Sequence, residues 1–295
     1  MVSDPIPKPV TANRAAGMVV SPHTVASKAG QSILQQGGNA IDAAIALCAA
    51  LSVTYPHMNG LGGDGLWLIY DGAAGSVHGL NGSGRSAAAL GHGSHQIVQR
   101  GAAAAITVPG AVDAWWQAHQ RFGQLPWTLL LEPAIDLAAN GYRLSSSQLR
   151  RTRKDRDLLA QDPGAAATFL AAQSAVAGTV IKNPALARVL TVLAADGTDA
   201  FYRGAIAQAI VDYAAEHGVR EDVAFERARR YAREIVPSFS AFTYFGFGIR
   251  AARWLATSLY DVRTGSMNDT VLKDLPEGST VIFIMNHRSN MDYVL

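Results

Sequence analysis

Residues 40–53 are the segment that most constrains the fold of this chain. They read Ala-Ile-Asp-Ala-Ala-Ile-Ala-Leu-Cys-Ala-Ala-Leu-Ser-Val, and only Asp42 and Ser52 interrupt the apolar surface. A helix that is apolar on nearly every face is buried rather than laid along a surface. Other elements must therefore pack around it, and a chain of 295 residues that is 49% hydrophobic can supply that interior.

Local signals on both sides of this segment predict its neighbours. Residues 24–36 have apolar side chains at helical spacing, and Gly37-Gly38 is expected to end that helix. Asn39 is a good N-cap for the helix that follows. Residues 66–70 are expected to form a short buried strand, which residues 77–80 pair with as a hairpin. Further helices are predicted at residues 110–122, 127–140, 146–159, 185–196 and 202–216.

Composition excludes several classes of function. The net charge of +2 is too small to indicate a nucleic-acid-binding protein. A single cysteine, Cys48, excludes an intrachain disulfide framework and a four-cysteine zinc site, and its apolar surroundings predict an inert thiol.

We expect neither a metal nor a cofactor. The N-terminus lacks a signal-peptide core and no run suits a membrane-spanning helix, so a cytoplasmic location is expected.

The composition of the chain changes near Gly218. The first 218 positions contain 29 charged and 12 aromatic residues, and the last 77 positions contain 19 charged and 11 aromatic residues. The charged fraction thus climbs from about 13% to about 25%. This shift predicts two units, at residues 1–218 and 219–295.

Ordered sequence blocks dominate the first unit. They are His23-Thr-Val-Ala-Ser-Lys-Ala-Gly, Gly37-Gly-Asn-Ala-Ile-Asp-Ala-Ala, Gly60-Leu-Gly-Gly-Asp-Gly, Asn81-Gly-Ser-Gly-Arg, Val108-Pro-Gly-Ala-Val, Arg121-Phe-Gly-Gln-Leu-Pro-Trp and Pro133-Ala-Ile-Asp-Leu-Ala. Each block alone is weak evidence, but their order and spacing are specific. Over residues 12–217 the chain resembles the large-subunit portion of a γ-glutamyltransferase, also called a glutathione hydrolase.

The glycine-rich loop at residues 60–65 has a structural interpretation. A dinucleotide-binding loop follows a strand and opens a helix, whereas this loop follows a helix and opens a strand. It also lacks the Lys-Ser/Thr ending of a phosphate-binding loop. Close packing of the backbone at a sharp turn is therefore the favoured explanation for its glycines.

The resemblance implies an α+β fold, the αββα sandwich of N-terminal-nucleophile hydrolases, of which this chain carries an incomplete part. It implies a small-molecule γ-glutamyl donor whose α-carboxylate is held by Arg85, and a guanidinium suits that task because it offers two parallel hydrogen bonds. The family's nucleophile is a threonine that opens a Thr-Thr-His or Thr-Ser-His stretch. Neither stretch occurs here. We therefore expect the chain to be inactive alone, and a separate chain is the candidate supplier of the missing half.

A second motif closes the chain. Residues 286–293 read Asn-His-Arg-Ser-Asn-Met-Asp-Tyr after an apolar strand pattern, and residues 219–295 resemble the N-terminal part of a glycerol-3-phosphate or 1-acylglycerol-3-phosphate acyltransferase. The resemblance implies a partial α/β segment in which His287 is the general base and Asp292 orients it. Arg288 and Ser289 are implied substrate-binding residues, and acyl-CoA or acyl carrier protein is the implied co-substrate.

Two further questions stay open on sequence alone. The aromatic stretch at residues 239–260 is either a membrane-surface segment or a core helix, and the two are about equally favoured. The whole chain is read as a γ-glutamyltransferase-like protein, as an acyltransferase fragment, or as a non-functional fusion of two partial reading frames. The first interpretation is favoured for family membership because it covers the most residues.

Overall fold

The computed structural model describes residues 17–84, 108–171 and 175–216, without the side chains of residues 214 and 215. The α-helices in these ranges are α1 (Thr24–Gln35), α2 (Ala40–Thr54), α3 (Ala111–Phe122), α4 (Trp127–Asn140), α5 (Ser146–Lys154), α6 (Arg156–Leu159), α7 (Pro163–Ala165), α8 (Pro184–Asp196), α9 (Thr198–Tyr202) and α10 (Ala205–Glu216). A π-helical turn, Ala166–Leu170, follows α7. The strands are β1 (Gly65–Asp71), β2 (Ser76–Gly82), β3 (Tyr142–Arg143) and β4 (Val180–Ile181).

Helix α2 is the buried centre of the described structure, as its sequence predicts. Helices α1 and α4 pack against it, and every residue from Ile41 to Thr54 except Cys48 is buried. Asn39 caps the helix in a capping box with Asp42, in which each side chain accepts from a backbone N–H near the other residue. Burial raises the pKa of the Cys48 thiol to about 12, which keeps the thiol protonated at neutral pH, as the prediction of an inert thiol requires.

The hairpin of β1 and β2 is amphipathic, which corrects the prediction of a buried strand. The antiparallel register pairs Gly65 with Gly82 and Asp71 with Ser76. Trp67 and Ile69 of β1 are buried in the core, on the side where α3 packs. The alternate residues Leu66, Leu68 and Tyr70 remain 49%, 45% and 42% exposed, because no described element covers that face.

Two predicted helices are broken in the structure. The helix expected at residues 146–159 divides into α5 and α6 at Asp155, whose carboxylate pairs with Arg151 one turn earlier. The helix expected at residues 202–216 begins only at residue 205, because α9 ends at Tyr202. The carbonyl of Asp199 accepts from the N–H groups of Arg203 and Gly204 at the break. A Cβ at Gly204 would lie 2.9 Å from the Ala200 carbonyl oxygen, so the turn needs glycine there.

Helices α4 and α8 form the other half of the core. They pack against each other, and the indole N–H of Trp127 donates to the Leu193 carbonyl at 3.0 Å. Gly141 ends α4 with a φ of 103°, as its position predicts, and the chain then enters β3, which pairs with β4. Among the helices of the described ranges, none has the length and apolarity needed to cross a membrane.

Candidate functional site

The candidate site lies where β1 begins, β2 ends and α3 starts. Gly65 opens β1 opposite Gly82, which closes β2, and the first turn of α3 packs on this pair. Two residues after Gly82 the chain reaches Gly84, the last described residue before the predicted carboxylate-binding Arg85. The geometry of this corner therefore sets the direction from which the chain enters Arg85.

Two side chains hold that entry segment. The N–H of Gly84 donates to Oδ1 of Asp64 at 2.8 Å, although the two residues are twenty positions apart. Asn81 Oδ1 accepts from the N–H of Ser83 at 2.9 Å and from its hydroxyl at 2.7 Å, which forms a local turn. The backbone immediately ahead of Arg85 is thus fixed to β2 on one side and to the glycine-rich loop on the other.

Three glycines make this corner compact. A Cβ at Gly110 would lie 1.9 Å from the Gly82 carbonyl oxygen, and a Cβ at Gly82 or at Gly65 would lie 2.5 or 2.7 Å from the Ala114 Cβ. Cβ atoms essentially never approach other non-bonded atoms so closely, so the backbones meet only because these positions lack side chains. The prediction of close backbone packing is confirmed at Gly65, but a Cβ added at Gly62 of the same loop would meet no described atom within 4 Å beyond its chain neighbours.

The glycine-rich loop also caps α3. The Gly63 carbonyl accepts from the N–H groups of Gly110, at 3.0 Å, and Ala111, at 2.8 Å. One further free donor of the first turn, the Asp113 N–H, donates to the hydroxyl of Tyr202, which itself donates to the Pro109 carbonyl. The first N–H groups of a helix have no acceptor within the helix. These hydrogen bonds satisfy three such groups and join α3 to the glycine-rich loop and to Tyr202.

Asp113, in the first turn of α3, is an ionisable group of this corner whose pKa differs from its ordinary value. Burial raises the pKa of its carboxyl group, and a hydrogen bond from Gln117 opposes that shift without cancelling it. The charged form of Asp113 is therefore less favoured in the folded chain than in water.

The site residues predicted from sequence fall outside the described ranges. Arg85 follows the last described residue of its segment, and His287, Arg288, Ser289 and Asp292 lie in the final stretch, which is also outside them. Their roles remain predictions. Sequence reasoning missed Asp64 because the loop at residues 60–65 was considered only for its glycines. An acidic residue placed directly before the first strand residue was the available signal.

A metal centre is not apparent in the described part of the chain. There, no three histidine, cysteine, aspartate or glutamate side chains come together in a way that could hold a metal ion.

Comparisons with known proteins agree on one family. The family model described as Gamma-glutamyltranspeptidase matches residues 26–226. The glutathione hydrolase-like YwrD proenzyme of Bacillus subtilis is 45% identical over 206 residues, covering 68% of this chain and 39% of the relative. The oxamate amidohydrolase proenzyme of Klebsiella pneumoniae is 40% identical over 234 residues, covering 72% of this chain and 43% of the relative.

Solved structures give the same result. The crystal structure of Helicobacter pylori gamma-glutamyltranspeptidase has a TM-score of 0.65 and 25% identity, covering 74% of this chain and 66% of the other. The structure of the Pseudomonas nitroreducens enzyme complexed with L-DON has a TM-score of 0.61 and 29% identity, covering 72% of this chain and 65% of the other.

The chain spans about 40% of the length of the two sequence relatives. The family match stops at residue 226, so it gives the acyltransferase prediction for residues 219–295 no support.

Proposed function

The chain belongs to the gamma-glutamyltranspeptidase family, and on that premise we propose that it carries the donor-binding part of a glutathione-hydrolase-type site. In this proposal Arg85 grips the α-carboxylate of a γ-glutamyl donor such as glutathione. A guanidinium offers two parallel N–H donors to a carboxylate, so it fixes the orientation of the donor as well as neutralising its charge.

The hydrogen bond from Gly84 to Asp64 is the observation that carries this proposal. It fixes the backbone one residue before Arg85, within a corner that three glycines keep tightly packed. A binding residue is useful only where its supporting backbone is held in place. Asp64 is therefore a positioning residue in this proposal, acting on Arg85 through the main chain rather than touching the donor.

The chemical step needs a nucleophile from elsewhere. The family resemblance implies a threonine whose own amine activates its hydroxyl for attack on the γ-glutamyl carbonyl. A threonine in the expected Thr-Thr-His or Thr-Ser-His context is absent from the 295 residues. We propose that a polypeptide outside these residues supplies it, and that this chain alone binds the donor without turning it over.

The exposed face of the hairpin supports a partner of that kind. Leu66, Leu68 and Tyr70 of β1 and Val77 of β2 lie on one face and are exposed. One face of the hairpin is already covered by the core, and a group of exposed apolar side chains on the other face is typical of an interaction surface. A second β-sheet, as in an αββα sandwich, would cover these side chains and complete the core.

Donor binding by the full chain tests the proposal directly. Calorimetric titration with glutathione should show binding that Arg85→Lys weakens by about tenfold or more, because an ammonium cannot form the two parallel bonds. Arg156→Lys, at an exposed arginine of α6, is the matched control and should leave the affinity unchanged. Asp64→Ala should weaken binding while Asp64→Asn, which keeps an oxygen acceptor, should largely preserve it. Equal affinities for the Arg85 and Arg156 variants would contradict the role of Arg85.

The donor class is decided by the same experiment. The two sequence relatives reported above carry different substrate names, a glutathione hydrolase and an oxamate amidohydrolase. Titration with oxamate beside glutathione shows which donor this chain prefers. We propose glutathione, because the relative with that name has the higher identity.

The histidine motif near the end of the chain supports a second candidate function. We propose acyl transfer from acyl-CoA or acyl carrier protein to glycerol phosphate as the alternative, with His287 as base and Asp292 as its orienting partner. Release of CoA in the presence of glycerol 3-phosphate measures it. Loss of release in His287→Ala would support the alternative, and the same rate in both proteins would contradict it.

A further inference from the structure

A cavity separate from the glycine corner opens between α3, α4 and the junction of α8 with α9. Its volume is about 440 Å³. Trp116 and residues 126–128 form one wall, and residues 194–199 form the other. This volume falls within the range of small-molecule sites.

The aromatic wall is rigid. The ring of Trp116 meets that of Trp127 edge-on, with centroids 5.1 Å apart. Trp127 is only 7% exposed and its N–H is bound to the Leu193 carbonyl. His119 packs against both indoles and is held in turn through Nε2 by the Leu125 carbonyl at 2.8 Å. The half-buried Trp116 therefore offers the cavity a fixed indole surface.

The opposite wall is electronegative. Helix α8 ends there at Asp196, and its last turn contains no basic residue. Gly197 and Trp127 both donate to the Leu193 carbonyl, whereas no described residue donates to the carbonyls of Ala194, Ala195 or Asp196. The negative end of the helix dipole and the exposed Asp196 carboxylate have the same sign, so each makes the other less favourable.

The second carboxylate of this wall already has a partner within the chain. Asp199 forms an ion pair with Arg203 at 2.9 Å, one turn later in the chain. The charge of Asp196 and the three open carbonyls are therefore the features that a ligand would complement.

We propose that this cavity binds a guanidinium compound of amino-acid size. A guanidinium presents five N–H donors in one plane, which match carbonyl and carboxylate acceptors, while its flat face stacks on an indole. A positive charge over the Trp116 ring is attracted by the ring quadrupole. The same charge relieves the unfavourable pairing of Asp196 with the C-terminal end of α8.

The test uses two probes that differ in charge and little else. N-acetyl-arginine amide and N-acetyl-citrulline amide are titrated into the full chain and followed by tryptophan fluorescence and calorimetry. The arginine probe should bind about tenfold more tightly, because the citrulline urea group is neutral. Choline, a cation without N–H donors, should bind more weakly than the arginine probe, since it leaves the carbonyls unbonded.

Variants locate the binding site within the chain. Asp196→Asn should weaken the arginine probe roughly threefold, whereas Asp157→Asn, at an exposed carboxylate of α6, should not. Trp116→Phe should also weaken it, because phenylalanine is a poorer cation–π partner, and circular dichroism checks that the variant is folded. Equal binding of the arginine and citrulline probes would overturn the proposal. Equal effects of the two aspartate variants, or choline binding as tightly as arginine amide, would also overturn it.

Discussion

Asp42 shows how much one buried polar residue contributes to this fold. It interrupts an apolar helix and is fully buried, yet its carboxylate accepts N–H groups from Asn39, Gln124 and Leu125, each at 3.1 Å. The contact with Asn39 is local and could be predicted from the capping pattern. The other two join the start of α2 to the loop before α4, and no local pattern encodes a contact 82 residues away.

Replacing Asp42 by asparagine should destabilise the protein by about 2–4 kcal/mol. Both carboxylate oxygens accept hydrogen bonds, so the asparagine amide must direct N–H groups at buried donors. Urea denaturation of the two proteins measures the difference in the free energy of unfolding. The control, Asp157→Asn, should stay within about 0.5 kcal/mol of the parent, because that residue is exposed. Similar stabilities for the two variants would show that the Asp42 contacts contribute little.

His23 and His57 should make stability depend on pH. The rings of both histidines pack against Tyr55, with centroids 6.5 Å away for His23 and 4.2 Å away for His57. Burial lowers the pKa of both, and the positive charges of Arg151 and His23 lower the pKa of His57 further. The folded state thus disfavours protonation, so stability is fully present above the ordinary histidine pKa near 6.5 and is lost as pH falls through the folded values.

The measurement compares the free energy of unfolding at pH 7.5 and pH 5.5. The free energy of unfolding should fall on acidification, and His57→Gln should reduce the fall. Asp113 acts in the opposite sense, because burial raises its pKa and its contribution is lost as pH rises above about 3.8. Asp113 contributes equally to the stability of the parent and of His57→Gln, so the difference between their pH profiles is the contribution of His57. Identical pH profiles for the two proteins would contradict the prediction.

At the scale of elements, the sequence predicted the regular helices and the hairpin, but it did not predict where a helix is broken or which strand face is exposed. Helix α2 and the hairpin follow from apolar spacing and from the Asn39 capping signal. The break between α9 and α10 was missed because Arg203-Gly204 lies in an otherwise helical run, and only contact with Ala200 shows why glycine is needed. The exposed face of β1 was missed for another reason: an apolar run does not reveal whether one or both faces are covered.

The glycine corner predicts a large difference between two similar substitutions. Gly110→Ala would place a Cβ 1.9 Å from the Gly82 carbonyl oxygen, so α3 and β2 must separate. We expect a loss of about 1–3 kcal/mol or more in the free energy of unfolding. Gly62→Ala meets no described atom within 4 Å and should change stability by less than about 0.5 kcal/mol.

Thermal or urea unfolding measures the free energy of unfolding of both glycine variants, and Gly110→Ala should be the less stable of the two. Donor affinity should follow the same order, because the corner also holds Gly84 next to Asp64. If Gly110→Ala proved as stable as Gly62→Ala, the close contact of α3 with β2 would not be needed for the fold.

At the scale of the whole molecule, the family assignment and the exposed hairpin face both fit the proposal that another polypeptide packs on this chain. The chain matches the gamma-glutamyltranspeptidase model over residues 26–226 and spans about 40% of its sequence relatives. The sequence blocks predicted that family because their order is specific. They could not place Arg85, since a block shows which residues are present but not what surrounds them. The predicted boundary near Gly218 and the final motif lie at or beyond the end of the described residues.

Glutamate release from glutathione is the most direct measurement. The full chain is assayed alone and after co-expression with the part of the Bacillus subtilis relative that it does not match. We predict no release by the chain alone, release by the co-expressed pair, and a loss of about tenfold or more in the pair when Arg85 is changed to lysine. Glutamate release by the chain alone, at a rate that neither the added segment nor the Arg85 substitution alters, would contradict the proposal that this chain binds the donor and another polypeptide supplies the nucleophile.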